Sequence, residues 1–519
     1  MNSESRVINS LKNMINGLLS QFISLVLSFV VRTVFIIYLD KVYLGVNGLF
    51  TNILTILSLA ELGFGTAMIY SMYKPLAKKD YTKIQAIMKL YSKVYIWIGI
   101  IVAILGISII PFMDYIIKDK PNIDNLTLIY LMFLANSVFS YFFAYKRSIL
   151  TADQKDYICS QYRYVFNFIK SILQIIILVL TSNFILYLLI QIISTLLENI
   201  LVSMKVDKMY PYLKEKNQNK LSKSELNRII EDVKALILTK VGHVMLNGTD
   251  NIIISAIVGV TWVGLLSNYT LITGALTMVL SQITSSVTGS VGNFIAQESK
   301  DKQYNLFNTV DFITFWLYSF CGICLIILFN PFIKIWIGKD YMLSEFSVTI
   351  LAINFIISGI MSSLWTFRST MGLFTQGKYR PIVAAVLNII VSIFLGKYIG
   401  IAGVLLGTTI SRLFVNLWYD PYIIYKYGFE KNVKKYYLTY FYRIINVSII
   451  CIVLFLIRNL VLSISINLSN FILMAFICLF LINIYFIIIY KNLEEFKYIK
   501  NLSKNLKNSI TYKLNKKIN

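Results

Sequence analysis

RSILTADQKDY, from Arg147 to Tyr157, and RSTMGLFTQGKY, from Arg368 to Tyr379, close two hydrophobic stretches of one chain with nearly the same text. The arginines lie 221 positions apart and the tyrosines 222. Farther upstream, Tyr43-Leu44-Gly45 is echoed by Trp262-Val263-Gly264 at an offset of 219. One unit of about 220 residues is therefore present twice in nearly constant register. Each copy holds an even number of apolar spans, so the second enters a bilayer from the same side as the first. That gives parallel repeats related by an axis along the membrane normal, a plan that transporters use to build a site between two lobes.

The composition agrees with a membrane protein. Of 519 residues 57% are hydrophobic and 14% charged, with mean hydropathy +0.69, whereas soluble domains carry roughly 25% charged residues. Hydropathy places about fourteen helices, near 15–39, 43–72, 91–117, 126–150, 164–181, 184–204, 235–258, 262–296, 307–330, 346–370, 382–399, 401–420, 438–460 and 469–490. The expected fold is thus an all-α polytopic membrane protein, with two parallel six-helix repeats and two extra C-terminal helices. The expected domains are an N-terminal lobe at 1–204, a linker at 205–234, a C-terminal lobe at 235–420, the last two helices at 438–490, and a basic tail at 491–519.

A formal net charge of +24 would suit a nucleic-acid binder, but its placement argues otherwise. With the N-terminus inside, 7 of the 49 lysines and arginines are external, 4 lie within spans, and the rest are cytoplasmic. Such a bias sets orientation and attracts anionic lipid headgroups, and it places both termini in the cytoplasm. Met1–Asn13 is polar and the first apolar stretch is long enough to span, so it reads as a retained anchor. The linker carries a capping box, Ser222 with Glu225, followed by Leu226, Ile229, Ile230 and Val233 at helical spacing. This predicts an amphipathic helix on the cytoplasmic face before the seventh span. The lysine-rich tail is expected on anionic lipid or in solvent. External loops are short, which disfavours a polymerase or a lipid-linked glycosyltransferase.

Familiar chemistries fail on inspection. GLFTQGK, Gly372–Lys378, is followed by Tyr379 instead of the Ser or Thr that would hold magnesium, and it follows a membrane helix, not a strand. Cys321 and Cys324 form CGIC inside an apolar span, where thiols are small core residues. His243 is the only histidine, which excludes a multi-histidine zinc centre. No cofactor is expected; energy would come from gradients, with H+ or Na+ as candidate coupling ions, or from substrate concentration.

The informative residues are ionisable groups within spans, because each costs roughly 2.5–3.5 kcal/mol near the bilayer centre and so faces protein or water. Helix one carries Ser20, Ser24, Ser28 and Arg32 at four-residue steps, with Arg32 the leading site candidate; the alternative is an arginine that snorkels to the interface. Helix seven carries Lys240, His243, Asn247 and Asp250 on one face, and Asp250 falls within one residue of the place that the duplication assigns to Arg32. Glu61 and Glu198 invite a proton-coupling reading, with a structural ion pair as the alternative for Glu61. Arg412 is a second candidate cation, or packs on Glu198 or helix carbonyls; Lys170 snorkels.

YLGVNGLFTNILTILSLAELGFGTAMIYSMYKPLAKKD (43–80), DNIIISAIVGVTWVGLLSNYTLI (250–272) and GLFTQGKYRPIVAAVLN (372–388) resemble bacterial polysaccharide-repeat-unit flippases of the multidrug, oligosaccharidyl-lipid and polysaccharide exporter superfamily. The resemblance runs over nearly the whole chain. It implies movement of a polyprenyl-diphosphate-linked oligosaccharide between the leaflets of the bacterial cytoplasmic membrane, for later polymerisation into a cell-surface polysaccharide. Expected partners are that lipid-linked substrate, anionic lipids, a glycan polymerase and glycosyltransferases, with no nucleic acid. A diphosphate needs cations, which Arg32, Lys240 and Arg412 would supply, and sugars need amides such as Asn247, Asn268 and Gln282. Coupling or gating would fall to Glu61, Asp250, His243 and Glu198. The competing reading is a multidrug or organic-cation antiporter of the same superfamily; a membrane glycosyltransferase and a non-transport scaffold stand further off.

Overall fold

The computed structural model describes residues 23–61, 64–118, 123–215, 221–373, 375–377, 379–462 and 467–501, with backbone alone at 60, 232, 235–243, 245–247, 285–287, 289 and 462. Every regular element among them is helical. Ten helices are long and apolar enough to cross a membrane, and two shorter apolar ones, α1 (Ile23–Tyr38) and α2 (Lys41–Leu57), precede them. The longest stretch, Arg380–Phe429, holds two passes, because the chain leaves helical geometry at Ile399 and Gly400. Gly400 adopts φ 61°, ψ −139°, a conformation open chiefly to glycine. Past that turn the passes press together: a Cβ on Gly403 would lie 2.2 Å from the Leu395 carbonyl oxygen, and the Asn388 amide donates to the Thr408 hydroxyl at 2.9 Å.

The chain divides into two compact units, Met1–Ser267 and Asn268–Asn519. In the first, α3 (Phe64–Lys78), α4 (Tyr81–Ile109), the single turn α5 (Met113–Ile116), α6 (Leu126–Ala152), α7 (Asp156–Thr181) and α8 (Phe184–Met209) follow α2. Their ends are fixed by short polar side chains. Asp80 accepts from the Lys83 amide at 3.0 Å, and Asn183 accepts from the Ile185 and Leu186 amides. The α7–α8 turn passes through Ser182 at φ 48°, the counterpart in the first copy of Gly400.

Two expectations need correction here. The span expected at 43–72 is not one helix: α2 ends in a 3-10 turn at Ser58–Glu61 and α3 starts at Phe64. The text ELGFG there puts two glycines within three residues, each costing about 1 kcal/mol in a helix interior. The linker helix is not separate from the seventh span either. Its capping box forms as expected, and α9 then runs unbroken from Lys223 to Gly248. No glycine or proline intervenes before Gly242, so a nucleated helix continues. The break comes later, at Gly248-Thr249, after which Asp250 opens α10 (Asp250–Ile257). Asp250 therefore sits in the first turn of a new helix, not one turn along a continuous face with Asn247. The 38-residue α11 (Val260–Gln297) carries the chain into the second unit.

The second unit is built on α12 (Lys300–Ile337) and α13 (Glu345–Thr370), its two most buried spans, with α14 (Arg380–Ser411), α15 (Trp418–Ile423), α16 (Lys434–Leu462) and α17 (Leu468–Tyr490). π-helical turns flank α15. The last two helices are joined to the rest by specific bonds. Trp316 Nε1 donates to Asn483 Oδ1 at 3.0 Å, and Arg458 grips Glu345 through two nitrogens at 2.7 and 2.9 Å. An aromatic cluster of Phe307, Phe367, Tyr425, Phe429, Tyr436 and Tyr440 fills one end of this unit.

Candidate functional site

Arg32 lies on α1 with its guanidinium partly buried, and Nη1 donates to Ser267 Oγ at 2.8 Å. That hydroxyl in turn donates to the Gly264 carbonyl at 2.6 Å. Among the described residues no carboxylate pairs with Arg32, so on the apolar helix α1 it is a cation bonded to a neutral group. The snorkelling alternative does not describe this geometry, since the side chain is held by a residue of another helix. Below Arg32 on α1, Ser28 bonds back to the Ser24 carbonyl at 2.7 Å; Ser20 lies outside the described residues.

Next to Ser267 on α11, Asn268 is fully buried, and neither its Oδ1 nor its Nδ2 has a hydrogen-bond partner among the described residues. Each such orphan costs about 1–3 kcal/mol. Buried amides without partners are uncommon in folded proteins. Gln282, farther along α11, is exposed.

The carboxylates fall in different surroundings. Glu61 accepts from the Tyr95 hydroxyl at 2.9 Å at the end of the 3-10 turn. Glu198 accepts from Arg147 Nη2 at 2.7 Å, and Asn199 accepts from the same nitrogen. Arg412 Nη1 donates to the Asn354 carbonyl at 3.1 Å, as the helix-carbonyl alternative expects. Lys170 bonds to Asn167 Oδ1 at 3.1 Å. The side chains of Lys240, His243 and Asn247 lie outside the described residues, although their backbone belongs to α9.

The duplicated text at Arg147 and Arg368 is a scaffold device. Arg147 at the end of α6 pairs with Glu198 on α8, and Arg368 at the end of α13 pairs with Asp420 on α15 at 2.9 Å. Glu198 and Asp420 are 222 positions apart, the offset of the repeat. Arg368 also donates to the Leu373 and Gln376 carbonyls, and Arg380 binds the second oxygen of Asp420. The glycine-containing turn is thereby folded around an arginine, with Gly372 and Gly377 at φ 71° and 76°. The arginines were visible in the sequence; the partners become visible only when the repeat offset is applied to Glu198.

Asp311 was missed altogether. Buried on α12, it accepts from Arg443 Nη1 at 2.6 Å, Tyr440 at 2.8 Å and Ser363 at 2.9 Å. The Arg443 guanidinium lies over Phe315 and Tyr440 at 4.7 and 4.9 Å. A lone aspartate nine residues past Lys302, in the first third of a helix with a lysine-rich start, reads as peripheral, and nothing in its local text marks burial. A cleft of about 650 Å³ in the first unit is lined by Tyr73, Lys79, Tyr81, Asp153, Tyr210 and Tyr212, none of them a candidate cation.

This arrangement of helices is similar to that of several solved membrane proteins. The MatE family model matches residues 18–156. The lipid II flippase MurJ, solved in an inward closed conformation, superposes with TM-score 0.62 at 15% identity, covering 92% of this chain and 99% of that one. An inward-facing multidrug resistance MATE family transporter of the MOP superfamily gives TM-score 0.61 at 15% identity, over 78% and 96%. The Vibrio cholerae MATE transporter VcmN in its bent form gives 0.52 at 12%, over 82% and 98%. No curated protein matches. The chain shares the fold of these solved structures, and ten of its described helices are long and apolar enough to cross a membrane.

Proposed function

We propose that this protein flips polyprenyl-diphosphate-linked oligosaccharide repeat units across the bacterial cytoplasmic membrane, by alternating access of its two repeats, for cell-surface polysaccharide synthesis. The observation that carries the reading is the charge state of Arg32. Arg147, Arg368, Arg380 and Arg443 are all neutralised by carboxylates, whereas Arg32 is held by a serine hydroxyl. A membrane-embedded cation without a counter-ion favours an anionic ligand, and a guanidinium suits phosphate oxygens. An organic-cation antiporter would gain nothing from it. The flippase superposition, which covers more of this chain than the multidrug transporter does, supports the same choice. Asn268 and Gln282 would serve sugar hydroxyls, and Lys240 and Arg412 would add charge. Glu61, bonded to Tyr95, is the carboxylate we assign to H+ coupling. Both termini are assigned to the cytoplasm on the lysine and arginine bias.

Reconstitution tests the proposal. Vesicles loaded with a polyprenyl-diphosphate oligosaccharide are treated with an external glycan-cleaving enzyme, against protein-free controls. Protein-dependent loss of the protected inner-leaflet pool is expected; full protection across several glycans, with the protein shown folded, would move the assignment to the antiporter.

A further inference from the structure

Helices α2 and α11 cross at the two glycines that the duplication relates, Gly45 and Gly264, and the contact is reciprocal. A Cβ on Gly45 would lie 2.0 Å from the Val260 carbonyl oxygen; one on Gly264 would lie 2.5 Å from the Lys41 carbonyl oxygen and 2.8 Å from the Gly45 nitrogen. Each glycine thus faces the residue four before the other, and Val260 stands to Lys41 at the same offset, 219, as Gly264 to Gly45. The crossing therefore has a local pseudo-two-fold axis relating the segments Lys41–Gly45 and Val260–Gly264. Only glycine lets two backbones come so close. One turn along, a Cβ on Gly48 would meet Val263 Cγ1 at 3.0 Å.

The leading candidate phosphate-binding cation, Arg32, is bonded into this crossing. Ser267, three residues beyond Gly264 on α11, accepts from Arg32 of α1 and donates to the Gly264 carbonyl. The Arg32 charge is met there by a neutral oxygen. A phosphate oxygen carries a full charge and makes bonds roughly twice as strong as neutral ones. An anion reaching Arg32 would therefore take the guanidinium from Ser267 and remove the bond between α1 and α11.

We propose that the Gly45–Gly264 crossing is a closure that opens during transport, and that the Arg32–Ser267 hydrogen bond is its latch, released when a diphosphate occupies Arg32. Contacts between repeat-related elements on the axis are those that rocking of two repeats makes and breaks. Small residues make such contacts tight without interlocking side chains, so they separate as surfaces. The diphosphate part rests on the flippase reading; the latch itself does not.

The test uses a reporter disulfide. Gly48→Cys with Val263→Cys is placed in a full-length chain whose five native cysteines are changed to alanine, in nanodiscs, and the cross-linking rate under mild oxidant is measured. Geranylgeranyl diphosphate as probe should lower that rate several-fold, and Ser267→Ala should lower it without any probe, with Ser267→Thr restoring it. Unchanged rates in Ser267→Ala overturn the latch. If binding measured in parallel shows that the probe does not bind, the diphosphate reading fails and the Ser267→Ala arm alone decides the latch. Quantitative cross-linking should also stop flipping and reductant should restore it; flipping that continues in fully cross-linked protein overturns the closure.

Discussion

Asp311→Ala should be among the most damaging single changes outside the site. The substitution leaves Arg443 buried on α16 without its charge partner, and it removes the acceptor of Tyr440 and Ser363. Breaking a buried pair by deleting one member costs about 3–5 kcal/mol, whereas replacing both by apolar residues is often neutral. With 1.4 kcal/mol per decade, the folding constant should fall by a factor on the order of 10² to 10³. Denaturant titration in mixed micelles of the parent, Asp311→Ala, Arg443→Met and the Asp311→Leu/Arg443→Met double variant measures it. The singles should each lose about 3 kcal/mol or more, and the double should recover most of that loss. A single variant within about 1 kcal/mol of the parent, or a double as unstable as the sum of the singles, would refute the claim that α16 is anchored by a buried charge pair.

Arg32→Gln should abolish flipping while leaving folded yield unchanged, and Arg32→Lys should retain part of it, as a point charge replaces a fork; flipping by Arg32→Gln at the parental rate removes Arg32 from the mechanism. Arg147→Ala and Arg368→Ala should each lower detergent stability by about 3 kcal/mol and do so independently, because they sit in different units; strong non-additivity in the double variant would contradict that. Gly400→Ala should destabilise by roughly 1–2 kcal/mol through its left-handed backbone, read as a lower midpoint in the same titration. Asp80 is held below the usual carboxylate range, first by the Lys83 amide and then by the Thr82 hydroxyl. Its cap therefore stabilises α4 above the ordinary aspartate pKa and is lost as pH falls through the lowered value. Hydrogen exchange at Tyr81–Ile84 should speed on acidification through that range, and in Asp80→Asn the pH dependence should vanish.

Long features with a strong pattern were legible in the sequence. The all-helical character of the apolar runs and the Ser222–Glu225 capping box rest on periodicity or on local chemistry, and the structure carries them. What the sequence hid was breakage and pairing. Whether Gly248-Thr249 or Asn247-Gly248 interrupts a helix depends on packing around it, since glycine inside a span costs only about 1 kcal/mol. Pairing is less legible still, because Arg147 meets Glu198 and Asp311 meets Arg443 across 51 and 132 positions. Arg32 was legible because its isolation in an apolar run is itself the signal. Its partner, Ser267, was not, being one hydroxyl among many on α11.

The duplication also separates scaffold from site. Applied to the structure, its offset maps the Arg147–Glu198 pair onto Arg368–Asp420, the Ser182 turn onto Gly400, and Gly45 onto Gly264. These shared features fix helix ends, turns and the axis crossing, which two copies of one architecture need equally. Charge at the proposed site positions does not follow the offset. Arg32 in the first copy corresponds to within a residue with Asp250 in the second, and buried Asp311 corresponds to Leu90. A substrate with a charged head at one end and sugars at the other has no two-fold symmetry, so a site that binds it gains from unlike charges in the two copies. Asp311 in the second copy instead answers the need to hold α16, which the first copy lacks. The divergence between copies, more than any motif, therefore marks where each repeat has its own work.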